Sequence, residues 1–148
     1  MKKSVKPLNY LVLSCMVVAM MACGVGATAS ADSSAPERQV AQAVTAEELQ
    51  GLLQTPDDNR VVLDVRTPAE VAEGIIEGAM VMDFRSADFE TLLQKLDRDK
   101  HYFVVCASGR RSGRTQAIMN TMGFGQVTNV EGGMNGWKAK GYPVVGVE

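Results

Sequence analysis

The run Cys106-Ala107-Ser108-Gly109-Arg110-Arg111-Ser112 puts a thiol, a glycine and two guanidinium groups close together, and Arg114 follows shortly after. A thiol does nucleophilic chemistry only as thiolate, and nearby cations and helix N-terminal amides favour that form. Between Asp99 and Glu131 the chain has no acidic residue, so the field from this segment is cationic. Gly109 permits the backbone turn that aims successive amides inward, which makes a concave anion site. Ala107, Ser108, Gly109, Arg110, Arg111 and Ser112 are therefore the candidate binding loop for a small dianion, with Cys106 as candidate nucleophile. The alternative is that Cys106 is core packing at a strand end and the arginines are a solvated helix start.

Other chemistries fail on composition. His101 is the only histidine and lies five residues before Cys106 on one extended run, about 16 Å away, too far for a Cys-His pair. One histidine and one cysteine outside the N-terminal segment are too few soft ligands for a structural zinc site, and there is no P-loop or dinucleotide glycine fingerprint. No metal or cofactor is expected.

The elements that must position this loop follow from periodicity. Thr45-Ala46-Glu47-Glu48 has capping-box spacing, with Leu49, Leu52 and Leu53 on one helical face. Val61 to Val65 reads as a strand buried on both faces. Thr67-Pro68-Ala69-Glu70 starts a second helix. Ala79 to Asp83 predicts a short strand, and Phe89, Leu92, Leu93 and Leu96 predict an amphipathic helix. His101 to Cys106 is the strongest strand signal. Arg111 to Met122 reads as a helix with Ile118, Met119 and Met122 inward, ended by Gly123. Val127 to Val130 is a further strand, and a Gly132-Gly133 turn leads to a short helix around Trp137. The alternation predicts an α/β fold, a mainly parallel sheet with helices on both faces, whose binding loops lie at the carboxyl ends of the strands.

Length and charge set the surroundings. A chain of 148 residues fits one domain. Residues 1–31 hold Lys2, Lys3 and Lys6 and no acid, which leaves 12 Lys+Arg against 17 Asp+Glu in the remainder, a net charge of −5. An acidic body argues against a nucleic-acid partner. The basic start, the apolar run from Leu11 to Ala22 and Ala29-Ser30-Ala31 have the form of a secretory signal peptide over 1–31. Cleavage after Ala31, lipidation at Cys23 and an uncleaved anchor are the three readings. Each places the body outside the cytoplasm, periplasmic or otherwise extracytoplasmic, with membrane attachment through lipid only if Cys23 carries it. Residues 32–43 read as a flexible lead-in and 44–148 as the domain. Cys15 and Cys23 belong to the targeting segment, so Cys106 has no disulfide partner in the mature chain.

Cys106, Gly109, Arg111 and Ser112 in Cys-x-x-Gly-x-Arg-Ser spacing, with Leu63-Asp64-Val65-Arg66, Glu73-Gly74 to Gly78-Ala79, Glu131-Gly132-Gly133 and Trp137, resemble the single-domain rhodanese (thiosulfate sulfurtransferase) family from about Thr45 to Val145. The resemblance implies a three-layer rhodanese-like fold and sulfur transfer through a persulfide on Cys106. It also implies a small sulfur-containing anion as donor, cyanide or another thiophilic group (a protein thiol included) as acceptor, and Asp64 and Arg66 as supports for the loops beside the site. One departure is local: the family usually reads Gly-His-Ile-Pro-Gly-Ala where this chain has Gly74-Ile75-Ile76-Glu77-Gly78-Ala79. The rivals are a phosphatase or arsenate reductase on the same fold and a non-catalytic sulfur-carrier or binding module. Phosphatase loops of this kind carry Arg six positions after Cys, where this chain has Ser112.

Overall fold

In the computed structural model, which describes residues 43–147, the apolar runs form the strands expected of them. The chain order is β1 (Ala43–Val44), α1 (Ala46–Leu53), β2 (Arg60–Asp64), α2 (Pro68–Val71), β3 (Met80–Val81), α3 (Phe89–Leu93), β4 (His101–Val105), α4 (Arg110–Thr121), β5 (Gln126–Val130) and α5 (Gly133–Ala139). The readings of a signal peptide, of Cys23 and of the lead-in up to residue 42 lie outside the described residues.

All pairings in the five-stranded sheet are parallel, in the order β1-β5-β4-β2-β3. Side chains alternate between its faces. Leu63 and Val65 with Tyr102, Val104 and Cys106 join Phe89, Leu93 and Met119, which places α3 and α4 on one side. Val62 with Phe103, Val105 and Val130 joins Ala46, Leu49, Met134 and Trp137, which places α1 and α5 on the other. The predicted three-layer α/β architecture is therefore present.

Two helix starts follow their sequence signals closely. Thr45 and Glu48 complete a capping box, with the Glu48 amide donating to Thr45 Oγ1 at 3.2 Å and the Thr45 amide to Glu48 Oε2 at 2.8 Å. Thr67 and Glu70 do the same at α2, which has Pro68 in its first turn and stops after four residues. α3 is shorter than the leucine spacing predicts. It ends at Leu93, and Leu92, expected to face inward, is 38% exposed. The helix is little more than one turn, so Phe89 and Leu93, four apart, take the buried stripe and leave Leu92 at its edge.

Near Gly74 the chain turns with φ 109° and forms an antiparallel bridge, Ile75 amide to Val145 oxygen and Val145 amide to Ile75 oxygen, both 2.9 Å. That bridge, with Ile76 buried beneath it, closes the segment in which the usual histidine and proline are missing.

Strands β2 and β4 are neighbours. From β2 the chain winds outward to β3, and from β4 it winds the other way to β5. Their carboxyl ends thus form the crevice where winding reverses, the usual ligand position in an open α/β sheet.

Candidate active site

The loop after β4 wraps its own sulfur. Cys106 is 1% exposed, and its Sγ accepts hydrogen bonds from the Gly109 amide at 3.2 Å and from Ser112 Oγ at 3.4 Å. Burial pushes the thiol up, but the Ser112 hydroxyl and the amides of Ser112, Ser108 and Gly109 outweigh it, so its pKa falls below the ordinary thiol value. Gly109 supplies the turn: at φ 90° it caps α4 in the left-handed conformation, which releases the first-turn amides toward the sulfur.

A second glycine turn holds the loop from the opposite side. The Met134 amide donates to the Cys106 oxygen at 2.7 Å and the Asn135 amide to the Ala107 oxygen at 2.9 Å. This close approach is possible only because residue 133 has no side chain. A Cβ on Gly133 would overlap the Cys106 carbonyl oxygen and stand 2.8 Å from the Ala107 carbonyl carbon, and its φ is +53°. The Glu131-Gly132-Gly133 motif thus acts as the seat of the cysteine loop.

The loop after β2 supplies the other wall. Asp64 and Arg66 are both buried, 0% and 2% exposed, and form a close ion pair: Arg66 Nε lies 3.0 Å from both Asp64 oxygens and Nη2 lies 2.7 Å from Oδ2. Arg66 also donates from Nη1 to the Glu70 carbonyl and from Nη2 to the Gly74 carbonyl, each at 2.8 Å. Every charge in the cluster is matched, as burial requires. Asp64 and Arg66 are therefore a buried strut that fixes α2, and their side-chain hydrogen bonds stay within Asp64, Arg66, Glu70 and Gly74.

What α2 carries is Glu70. Its Oε2 accepts from the Thr67 amide and hydroxyl and from Arg111 Nη1 at 2.8 Å, and its Oε1 from Arg111 Nη2 at 2.5 Å. The Arg111 guanidinium, with burial opposing and Thr67 assisting, holds the Glu70 carboxyl at about 2, well below the usual range. Arg111 is raised in turn, Glu70 being the largest cause. Read along the sequence, the loop has no acid near it. In the folded chain Glu70 crosses from the neighbouring strand's loop and occupies both terminal nitrogens of Arg111, so the fork expected to grip an anion grips a carboxylate already present.

Beside the sulfur lies an open cleft of about 280 Å³ lined by Arg85, Ala107, Ser108, Arg110, Arg111 and Arg114. Arg85 was absent from the candidates named from sequence. Its signal was its place, in the loop after β3 at the same sheet end, where the Asp83 carboxylate accepts the Arg85 amide at 2.8 Å and sets the turn. His101 sits at the opposite end of β4, stacked on Phe103, with Nε2 2.8 Å from Thr128 Oγ1, and burial lowers its pKa. It takes no part in the site.

A parallel sheet with a cysteine loop at its switch point and arginines around the mouth defines a class, and the family comparison agrees: the rhodanese-like domain matches residues 45–140, and the chain belongs to that family. It is 38% identical over 87 residues to the thiosulfate sulfurtransferase GlpE of Pseudomonas putida, covering 58% of this chain and 76% of that one. A sulfurtransferase of Allochromatium vinosum is 32% identical over 88 residues, 60% of this chain and 80% of that one. Among solved structures, a rhodanese-related protein of Thermoplasma volcanium superimposes with a TM-score of 0.61 at 33% identity, over 70% of this chain and 97% of that one. The relatives support a rhodanese-type sulfurtransferase.

Proposed function

We propose that this protein moves sulfane sulfur from thiosulfate or a similar anionic donor to cyanide or another thiophilic acceptor by double displacement at Cys106. The Cys106 thiolate attacks the outer sulfur of the donor. The sulfur-sulfur bond of thiosulfate breaks, its electron pair leaves with sulfite, and Cys106 carries a persulfide. The acceptor then attacks the outer persulfide sulfur, and Cys106 leaves as thiolate, ready for the next cycle. The transfer as written routes through no metal or redox cofactor, and the Ser112 hydroxyl and loop amides favour the thiolate that attacks.

The observation that carries this reading is the sulfur's own environment: Gly109 and Ser112 donate to Sγ at the start of α4. Those donors stabilise negative charge on sulfur in the attacking and the leaving thiolate alike. Arg110, Arg114 and Arg85 face the cleft and supply the attraction for the donor, while Arg111, tied to Glu70, contributes its field and fixes the loop. Ser112 stands where a phosphatase loop has its arginine, and its hydroxyl is turned onto the sulfur, which favours sulfur over phosphate chemistry.

The N-terminal sequence supports action outside the cytoplasm, with residues 1–31 removed after Ala31 or with Cys23 lipidated. N-terminal sequencing of the mature protein distinguishes these: Asp32 first means soluble export, acylated Cys23 means anchoring, and an intact Met1 on cytoplasmic protein rejects export. For the activity, a steady-state assay with thiosulfate and cyanide is run beside a phosphomonoester. Thiocyanate without phosphate release is expected; phosphate release alone would assign the site to the phosphatase class.

A further inference from the structure

We propose that Arg85 is a specificity-determining residue that, together with Arg110 and Arg114, binds the carboxylate of the acceptor, so that the molecule taking sulfur from Cys106 is a small anionic thiol. This deepens the sulfur-transfer reading and rests on it.

Four guanidinium groups line the cleft, and the acids beside them are Glu70, which is bonded to Arg111, and Asp83, whose carboxylate is turned onto the Arg85 amide. Arg85, Arg110 and Arg114 have no ion-pair partner among the described residues. The cleft is thus net positive by two, in a body carrying −5. Once sulfite has left, that charge faces whatever enters second, and the second substrate uses the same opening. A site of this sign favours anionic entrants and disfavours cations.

Sulfite has left before the acceptor arrives, so the whole cleft of about 280 Å³ is open to it. That space is walled by arginine side chains from two elements, Arg85 from the β3-α3 loop and Arg110 and Arg114 from α4. Reach then limits the acceptor. Cys106 is buried, and the outer persulfide sulfur extends only ~2 Å beyond Sγ. A slender thiol can enter the cleft, whereas a cysteine flush with a folded surface cannot.

The transfer is balanced without an oxidant. The acceptor thiolate bonds to the outer sulfur of the protonated persulfide, the bond from that sulfur to Cys106 breaks, the electron pair stays on Sγ, and the acceptor departs as a hydropersulfide.

The test is single-turnover clearance of a Cys106 persulfide preloaded with thiosulfate. Mercaptosuccinate, 3-mercaptopropionate, 2-mercaptoethanol and 2-aminoethanethiol are compared at equal thiolate concentration. The wild-type rate is expected to fall in that order. Arg85→Gln should shrink the ratio of mercaptosuccinate to 2-mercaptoethanol by roughly fivefold, the scale of one exposed charge contact. Arg85→Lys should retain most of that ratio, and Arg85→Glu should favour 2-aminoethanethiol over mercaptosuccinate. Equal ratios in wild type, Arg85→Gln and Arg85→Glu would overturn the proposal while leaving sulfur transfer intact. Clearance by reduced thioredoxin but by none of the small thiols would overturn it in favour of a protein acceptor. A wild type that never forms the persulfide would remove the sulfur-transfer reading itself.

Discussion

Glu70 and Arg111 lie 41 positions apart and meet as a two-pronged pair across the crevice between the β2 and β4 loops, with Arg111 Nη1 2.8 Å from Glu70 Oε2. One carboxylate thereby does two things: it caps α2 and it anchors the first turn of the helix that faces the sulfur. Glu70→Gln should cost about 1–2 kcal/mol of stability, the scale of a lost cap plus a partly exposed pair, and should reduce sulfur transfer out of proportion to that loss. Arg111→Ala should do the same, and Arg111→Lys should rescue only in part, because an ammonium cannot meet both carboxylate oxygens in one plane. Denaturant titration alongside kcat and KM for thiosulfate separates the two effects.

Acid stability follows from the same pair. Glu70 is depressed to about 2 in the folded protein, against an unfolded carboxyl near 4.3. Its contribution is therefore complete above the unfolded value and is lost as the pH falls from there through about 2. Denaturation midpoints measured from pH 6 down to pH 2 should fall less steeply in Glu70→Gln than in wild type.

The buried strut of Asp64 and Arg66 makes a prediction about folding. Asp64→Asn leaves a guanidinium at 2% exposure without its countercharge, and breaking one side of a buried pair typically costs about 3–5 kcal/mol. In a domain of this size that is a large share of the total stability. A steep loss of the thermal midpoint is expected. Near-wild-type stability would show that the Glu70 and Gly74 carbonyls satisfy Arg66 by themselves.

Two glycines give opposite results on substitution. Gly133→Ala drives a methyl into the Cys106 and Ala107 carbonyls in a left-handed conformation, so it should displace the cysteine loop and abolish transfer even where protein is recovered. Gly113→Ala, inside α4, meets nothing closer than the Asn129 side chain at 3.7 Å. It should stabilise the fold by about 0.5–1 kcal/mol. Parallel melting curves and assays check both.

These cases show what the sequence could and could not reveal. Period and caps identified each strand after β1 and the helices, because those signals are local: Thr67, Pro68 and Glu70 need only each other to start α2. The nucleophile loop was legible for the same reason, with Cys106 through Ser112 contiguous. The Glu70 clamp was not, because its partner lies 41 residues away and its capping role already accounted for its residue type. Arg85 was hidden differently. Asp83 marks its turn locally, but only the shared sheet end of the β3 and β4 loops brings it to the cleft. Leu92 fitted a helical stripe that the short α3 had no room to bury.

Mass spectrometry of the protein treated with thiosulfate decides whether Cys106 alone carries sulfur. Because Ser112 and the loop amides hold the thiol below its ordinary pKa, uptake should persist below the pH at which an unperturbed thiol ionises, near 8.5, and Ser112→Ala should move that profile upward. At neutral pH one added sulfur is expected on the peptide containing Cys106, and cyanide should remove it. Cys106→Ser should fold yet take up none, since a hydroxyl without a base is a poor nucleophile. Sulfur uptake by Cys106→Ser, or a wild-type Cys106 that stays unmodified, would contradict the account.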